Sequence, residues 1–299
     1  MDSVIDVATY EELCARPNFQ KSLPFHPKAE RRFGAVVAPY RFLDRIPCGI
    51  ESCHTPHLTG YLITTSDGLE TAIGSTCGKT HFGMTFTRER KRVDQAIARR
   101  RRIEAVEGML GDMPALLAVV ENLDKEYKDL QDKKSRLLGA IGAGLFGVLR
   151  DRAQKGQNVI SREVPMTKEE ASIYFETSNR RANDGKGWPT KSVHVATIEG
   201  LDFIKSRFKD MLVVNLITPI RELSKLRSAD IAEMKPRQLT ETAKWVGEVP
   251  QGIVKAKAAI KAGHDFFTAE NLEKLPHLGA SASVLSAMIA DLRDETLRG

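Results

Sequence analysis

The stretch CGIESCHTPHLTGYLITTSDGLETAIGSTCGKTH, residues 48–81, decides how the first third of this chain is read. It holds Cys48, Cys53, His54, His57, Cys77 and His81, six of the eleven Cys and His residues in a 299-residue chain. An even scatter would place about one there, and metal ligation explains such crowding. Zinc takes four sulfur or imidazole donors at tetrahedral corners, usually as two short-spaced pairs on separate local structures. Cys48-x4-Cys53 and Cys77-x3-His81 are two such pairs. The second spacing puts both side chains on one face of a helix once the helix has begun. Between the pairs, Tyr61–Thr65 and Leu69–Ile73 are β-prone runs separated by Ser66-Asp67-Gly68, a hairpin turn in which Gly supplies positive φ. The expected ligands of a Zn2+ ion are therefore Cys48, Cys53, Cys77 and His81. A competing set, Cys53 and His57 with Cys77 and His81, frees Cys48. Cys48 is preferred because thiolates bind zinc strongly and Pro47-Cys48-Gly49 suits a knuckle turn. Cys14 stands alone, as a buried or free thiol.

Knuckle, hairpin and ligands at a helix start form an arrangement that resembles the treble-clef zinc finger, over about residues 46–100. The first pair is spaced by four residues instead of two, and the last ligand is His instead of Cys. The resemblance implies a structural metal that fixes the start of the following helix. A catalytic zinc keeps one position open beside a base, for which His54, His57, Glu51 and Glu70 are the candidates here. No His-Glu-x-x-His motif and no zinc-deaminase pattern occurs, so the structural role is favoured.

The next unusual feature follows at once. Arg88, Arg90, Lys91, Arg92, Arg99, Arg100, Arg101 and Arg102 face only Glu89 and Asp94 within residues 88–102, so this segment alone matches the net charge of +6 of the whole chain. Concentrated positive charge attracts phosphate, nucleic acid or an acidic protein face; its bland counterpart is a solvated helix face. With Lys79, these residues are the expected nucleic-acid contacts. Phe82 and Phe86, four apart, are expected to pack beneath the zinc site instead of stacking on bases.

Hydrophobic spacing sets the rest. Ile103, Val106, Leu110, Met113, Leu117 and Val120 recur three and four apart, continued by Leu123, Tyr127, Leu130, Leu137 and Ile141. This predicts two helices, about 88–110 and 113–136, broken at Gly111-Asp112-Met113-Pro114, forming a helical hairpin or coiled coil. The run Leu137–Leu149 is too short for a membrane span, which needs roughly 20 residues, and is expected to be buried. Strands are predicted over 159–164 and 192–197. A capping box at Thr167–Glu170 opens a helix to about residue 182, and residues 183–189 form a turn. A helix from about 200 should end or kink at Pro219, and short helices should cover 219–226, 239–246, 251–262, 269–275 and 282–297.

The fold class read from these signals is α+β, mainly α. Its expected parts are an irregular lead-in (1–45), a zinc-binding β-hairpin module (46–87), a basic helix with a helical hairpin or coiled coil (88–150), and a mixed C-terminal domain (151–299). With 41% apolar and 28% charged residues, the composition is that of an ordinary globular protein. No leader pattern is visible, so a cytoplasmic protein is expected. No Gly-rich phosphate loop, dinucleotide fingerprint or nucleophile elbow occurs, and no catalytic residue is assigned. The expected function is a zinc-finger nucleic-acid-binding protein with a regulatory or assembly role. Helices 88–141 would serve a protein partner or self-association, and no membrane is involved. The alternatives are a protein-binding adaptor and a metal-dependent nuclease or hydrolase.

Overall fold

The computed structural model describes residues 5, 7–25, 30–178, 187–205 and 208–298. With 63% helix and 17% strand, the chain is α+β and mainly α. It divides into two compact units, one of Met1–Gly108 with Ser228–Lys244, the other of Met109–Arg227 with Trp245–Gly299.

The first unit is built on an antiparallel sheet of order β1-β2-β3, with β1 Phe33–Ile46, β2 His57–Thr65 and β3 Glu70–Gly74. The hairpin of β2 and β3 follows the sequence expectation, with Tyr61 opposite Ile73 and Leu62 opposite Ala72. Strand side chains alternate between faces. Ile63 and Ile73 therefore pack with Val36, Cys48, Ile50, Phe86, Val93 and Ile97, whereas Leu62 and Ala72 pack with Leu13, Tyr40, Phe42 and Ile46. Helix α1 (Tyr10–Cys14) supplies Leu13 to the second cluster and is capped by Thr9, whose hydroxyl accepts from Glu12 N–H. Residues 1–45 are thus less irregular than the lead-in expected there, since β1 alone is 14 residues long. Pro39 lies inside β1, which is tolerated because β1 is an edge strand and its missing donor interrupts no second ladder.

Helix α2 (Ser75–Gly111) follows β3 directly and is broken at Gly83, where φ is 59° and ψ is −131°. A residue with a Cβ avoids that conformation. The turn bearing Cys77 before Gly83 and the basic rod after it are consequently separate helical pieces. Helix α7 (Ser228–Ala232) and residues 236–244, which begin the next helix, complete this unit.

In the second unit, α3 (Met113–Lys155) begins where the sequence placed the break, with Asp112 at its N-cap and Pro114 in its first turn. Val120, Leu123, Leu130 and Leu137 of the apolar seam are buried, and Tyr127 stacks on Phe208 at 5.0 Å. The seam is thereby satisfied within this unit, against α5 (Asp202–Lys205), a π-helix (Lys209–Ile217) and α10 (Ala282–Arg298). The run Leu137–Leu149 departs from expectation: only its end residues are buried, and Leu138 and Val148 are exposed. Its glycines provide no side chain to bury, and the helix breaks at Gly142, φ 76° and ψ 163°.

Strands β4 (Val159–Pro165) and β5 (Thr190–Thr197) form an antiparallel pair. Helix α4 (Lys168–Thr177) opens on the predicted capping box of Thr167 and Glu170; residues 179–186, which include most of the expected turn, lie outside the described residues. The expected helix from 200 is three pieces: α5, the π-helix and α6 (Thr218–Leu223), with Pro219 in the first turn of α6. Helix α8 (Pro236–Phe266) runs through Pro250, which sequence reading made a boundary. Pro250 is exposed while its neighbours Val246 and Val249 are buried, so the burial of flanking apolar side chains holds the helix together past the proline. A short α9 (Ala269–Leu272) precedes α10.

Candidate metal centre and the basic helix beside it

Cys48 lies on the turn after β1. Gly49 N–H donates to Ala72 O at 2.7 Å, and Gly49 O accepts from Leu23 N–H at 2.8 Å. A Cβ on Gly49 would stand 1.9 Å from Thr71 Oγ1, so this knuckle closes against β3 only with glycine there. Cys53 N–H donates to Ile50 O at 2.8 Å, completing the turn, and His54 follows in the left-handed region with φ 50°. Cys77 comes from the first turn of α2. Its neighbour Gly78 is buried against the Phe86 ring, where an added Cβ would sit 2.5 Å from Cζ.

These two elements bring Cys48, Cys53 and Cys77 together, with all three sulfurs within 4.8 Å of one another and Cys53 Sγ 3.3 Å from Cys77 Sγ. Tetrahedral zinc with bonds of about 2.3 Å sets sulfurs about 3.8 Å apart, so the group can hold such an ion after small side-chain rotations. The cysteines are not paired as disulfides. Their electrostatics differ. Cys53 Sγ hydrogen-bonds Thr55 Oγ1 at 3.2 Å, and Thr55, through its hydroxyl and its backbone, holds the Cys53 thiol down to about 7. Burial pushes Cys77 up to about 12 and raises Cys48 as well. Three thiolates without a counter-charge would repel one another in a largely apolar pocket, whereas a divalent cation favours their ionised forms.

His81, the expected fourth ligand, is exposed and is not among the ligand atoms gathered there. It stands four residues after Cys77 in the same helical piece, the spacing at which side chains share a face. His57, the competitor, is otherwise engaged. Its Nε2 is 2.6 Å from Tyr40 Oη and its Nδ1 is 3.1 Å from Thr55 O, so both ring nitrogens are used in holding β2 to its neighbours. Glu70, one candidate base, is buried in a bidentate ion pair with Arg16, at 2.5 and 2.8 Å. Cys14 is a free, exposed thiol. Thr55 and Tyr40 are the contributors that sequence reading missed; Thr55, two residues beyond Cys53, carried the only local signal.

Aromatic packing spans the Gly83 break. Phe33 stacks on Phe82 at 5.1 Å and meets Phe86 edge-on at 6.0 Å, while Tyr61 meets Phe86 at 5.7 Å. Phe82 and Phe86 are therefore packing residues, as expected, and they tie the turn bearing Cys77 to the rod.

The cations on α2 fall into different environments. Arg99 donates to Met234 O at 3.2 Å and Ala232 O at 2.5 Å, so its guanidinium caps the end of α7. Both terminal nitrogens of Arg99, one of the expected phosphate contacts, are thus engaged with backbone carbonyls of the same unit. Arg92 pairs with Glu89 at 3.1 Å, Arg100 with Glu104 at 3.4 Å, and Arg90 lies 4.0 Å from Asp94. Lys79, Arg88, Lys91 and Arg101 are exposed, and Arg102 is half-buried. No helix among the described residues is long and apolar enough to cross a membrane. No family model, curated protein or solved structure matches this chain.

Proposed function

We propose that this chain is a zinc-dependent nucleic-acid-binding protein, in which the ion fixes the base of the arginine-rich helix. The observation that carries the reading is the meeting of Cys48, Cys53 and Cys77, drawn from two separate elements, at the foot of α2. In this reading the three thiolates bind Zn2+ and His81 swings inward as the fourth ligand. A closed sphere of four protein ligands gives the ion a structural role, with no position left for water. Glu70 and His57, both committed to other partners, support the same choice over a hydrolase. Free thiols and this type of site suit a reducing compartment, and we place the protein in the cytoplasm.

Lys79, Arg88, Lys91, Arg101 and Arg102 are the cations best placed for phosphate. Each contact releases counterions, so binding should weaken steeply with salt. An adaptor that binds acidic protein instead would account for the same charge, and Glu89 and Glu104 temper the basic stretch in a way that suits it. One experiment separates the two: metal analysis of the pure protein, followed by binding of labelled oligonucleotides across a salt series. We expect one zinc per chain and nucleic-acid affinity that falls as salt rises. Absence of bound metal from the folded protein overturns the zinc reading, and absence of oligonucleotide binding leaves the adaptor.

A further inference from the structure

Within the first unit, one flank of the α2 rod does not face open solvent directly but forms the wall of a groove of about 620 Å³. Thr87, Lys91, Gln95, Ala98 and Arg102 line it from the helix, and Pro236 and Leu239 form the opposite side. At one end of the groove Arg99 donates to the carbonyls of Ala232 and Met234, which helps to fix the segment that carries Pro236 and Leu239 alongside the rod, with Ile231 and Leu239 buried. The groove's cations are Arg90, Lys91, Arg99 and Arg102, and its one carboxylate is Asp94. That carboxylate is partly committed, since Tyr61 Oη donates to both of its oxygens at 3.1 Å. Arg90 Nε is buried and has no hydrogen-bond acceptor among the described residues, Asp94 Oδ2 lying 4.0 Å away.

We infer that this groove is the seat of the nucleic acid and that it takes a single strand. The inference rests on the function proposed above and deepens it. Three properties of the site carry it. A duplex presents its phosphates on a convex surface to protruding elements that enter its own grooves, whereas here several cations are set into a concavity. The lining is mixed: Arg90, Lys91 and Arg102 reach phosphates, while Ala98, Pro236 and Leu239 offer apolar surface to sugars and base faces. The span also fits, because the helix from Thr87 to Arg102 rises about 22 Å, the length of roughly four extended nucleotides. A duplex would meet the apolar side of the groove only by losing its outer hydration to no partner. A single strand can turn its bases toward it.

The test uses the full, metal-loaded protein and a fluorescent oligothymidylate of about 12 nucleotides, with a hairpin duplex of the same charge as competitor. Binding is read by anisotropy, and metal content and circular dichroism are measured for each variant. Ala98→Glu puts a carboxylate into the groove and should weaken single-strand binding at least about tenfold. Lys91→Ala and Arg102→Ala should each weaken it severalfold and lower the salt slope by about 0.7. The double variant Arg88→Ala with Arg101→Ala, outside the groove lining, should lose less than Ala98→Glu. If the duplex competes as well as the single strand, or Ala98→Glu binds normally while the double variant does not, the groove is not the seat, although the wider nucleic-acid reading stands. If no oligonucleotide binds and poly-glutamate does, both fall.

Discussion

Cys77 is one of only three sulfurs in the gathered group and the one supplied by α2, so its loss should be felt in metal content and in folding together. Cys77→Ser is expected to release zinc and to melt the module, read by elemental analysis and by the loss of strand signal in circular dichroism. His57→Ala offers the contrasting outcome: because both ring nitrogens serve Tyr40 and Thr55, it should lower stability by about 1 kcal/mol while metal content stays unchanged. Retained metal after Cys77→Ser, or metal lost after His57→Ala, would exchange their roles. Gly78→Ala drives a methyl into the Phe86 ring, and urea unfolding should show about 2 kcal/mol of destabilisation. Arg16→Ala leaves the buried Glu70 carboxylate without its partner and should cost about 3 kcal/mol in the same assay. The cysteines themselves were legible because ligand chemistry demands particular residue types at short spacings. The engagement of His57 was not, because Tyr40, 17 residues earlier, gives no local sign that it will meet that ring.

Among the elements, α2 concentrates the argument. Its break at Gly83 separates the turn bearing Cys77 from the rod bearing the arginines, and nothing lies within 4 Å of where a Cβ would sit. Gly83→Ala therefore meets no neighbour and acts on the backbone alone, at about 1–3 kcal/mol. Relief by straightening would re-aim the rod, so the expected result is normal metal content with weaker oligonucleotide binding; unchanged binding would show that the angle at Gly83 is not needed. The break was invisible in sequence, since a lone glycine is tolerated inside a helix and the flanking residues carry no stop signal. At Asp112 the reverse held, because Pro114 marks a helix start by its missing donor. Pro250 misled for the same reason: proline's local signal reads as a boundary, yet burial of Val246 and Val249 carries α8 past it. In β1 the alternation of Val36, Ala38, Tyr40 and Phe42 was present in the sequence, but Pro39 among them concealed an edge strand.

At the scale of the molecule, the first unit recruits Ser228–Lys244 from far along the chain. No periodicity in either segment announces this; the Arg99 guanidinium meeting two carbonyls is one part of the link, beside the buried Ile231 and Leu239. Arg99→Ala should therefore behave unlike the other arginine substitutions. Amide exchange across 228–244 should speed up at least tenfold while metal content is unchanged, as mass spectrometry of deuterated protein would reveal; protection as in the parent would mean that the segment is held by other contacts. The fold class and the cysteines that meet could be read from local pattern, whereas the groove could not, since its two sides are about 140 residues apart.

The discontinuous first unit also has a temporal consequence. Cys77 leaves the ribosome about 150 residues before Ser228 does, an interval of roughly 8–30 s at 5–20 residues per second. All three gathered cysteines are therefore present throughout that interval, before the segment that forms the neighbouring wall has been translated. In the proposed reading, metal loading would come first in biosynthesis and completion of the groove second, the earlier event preparing the helix against which the later segment settles.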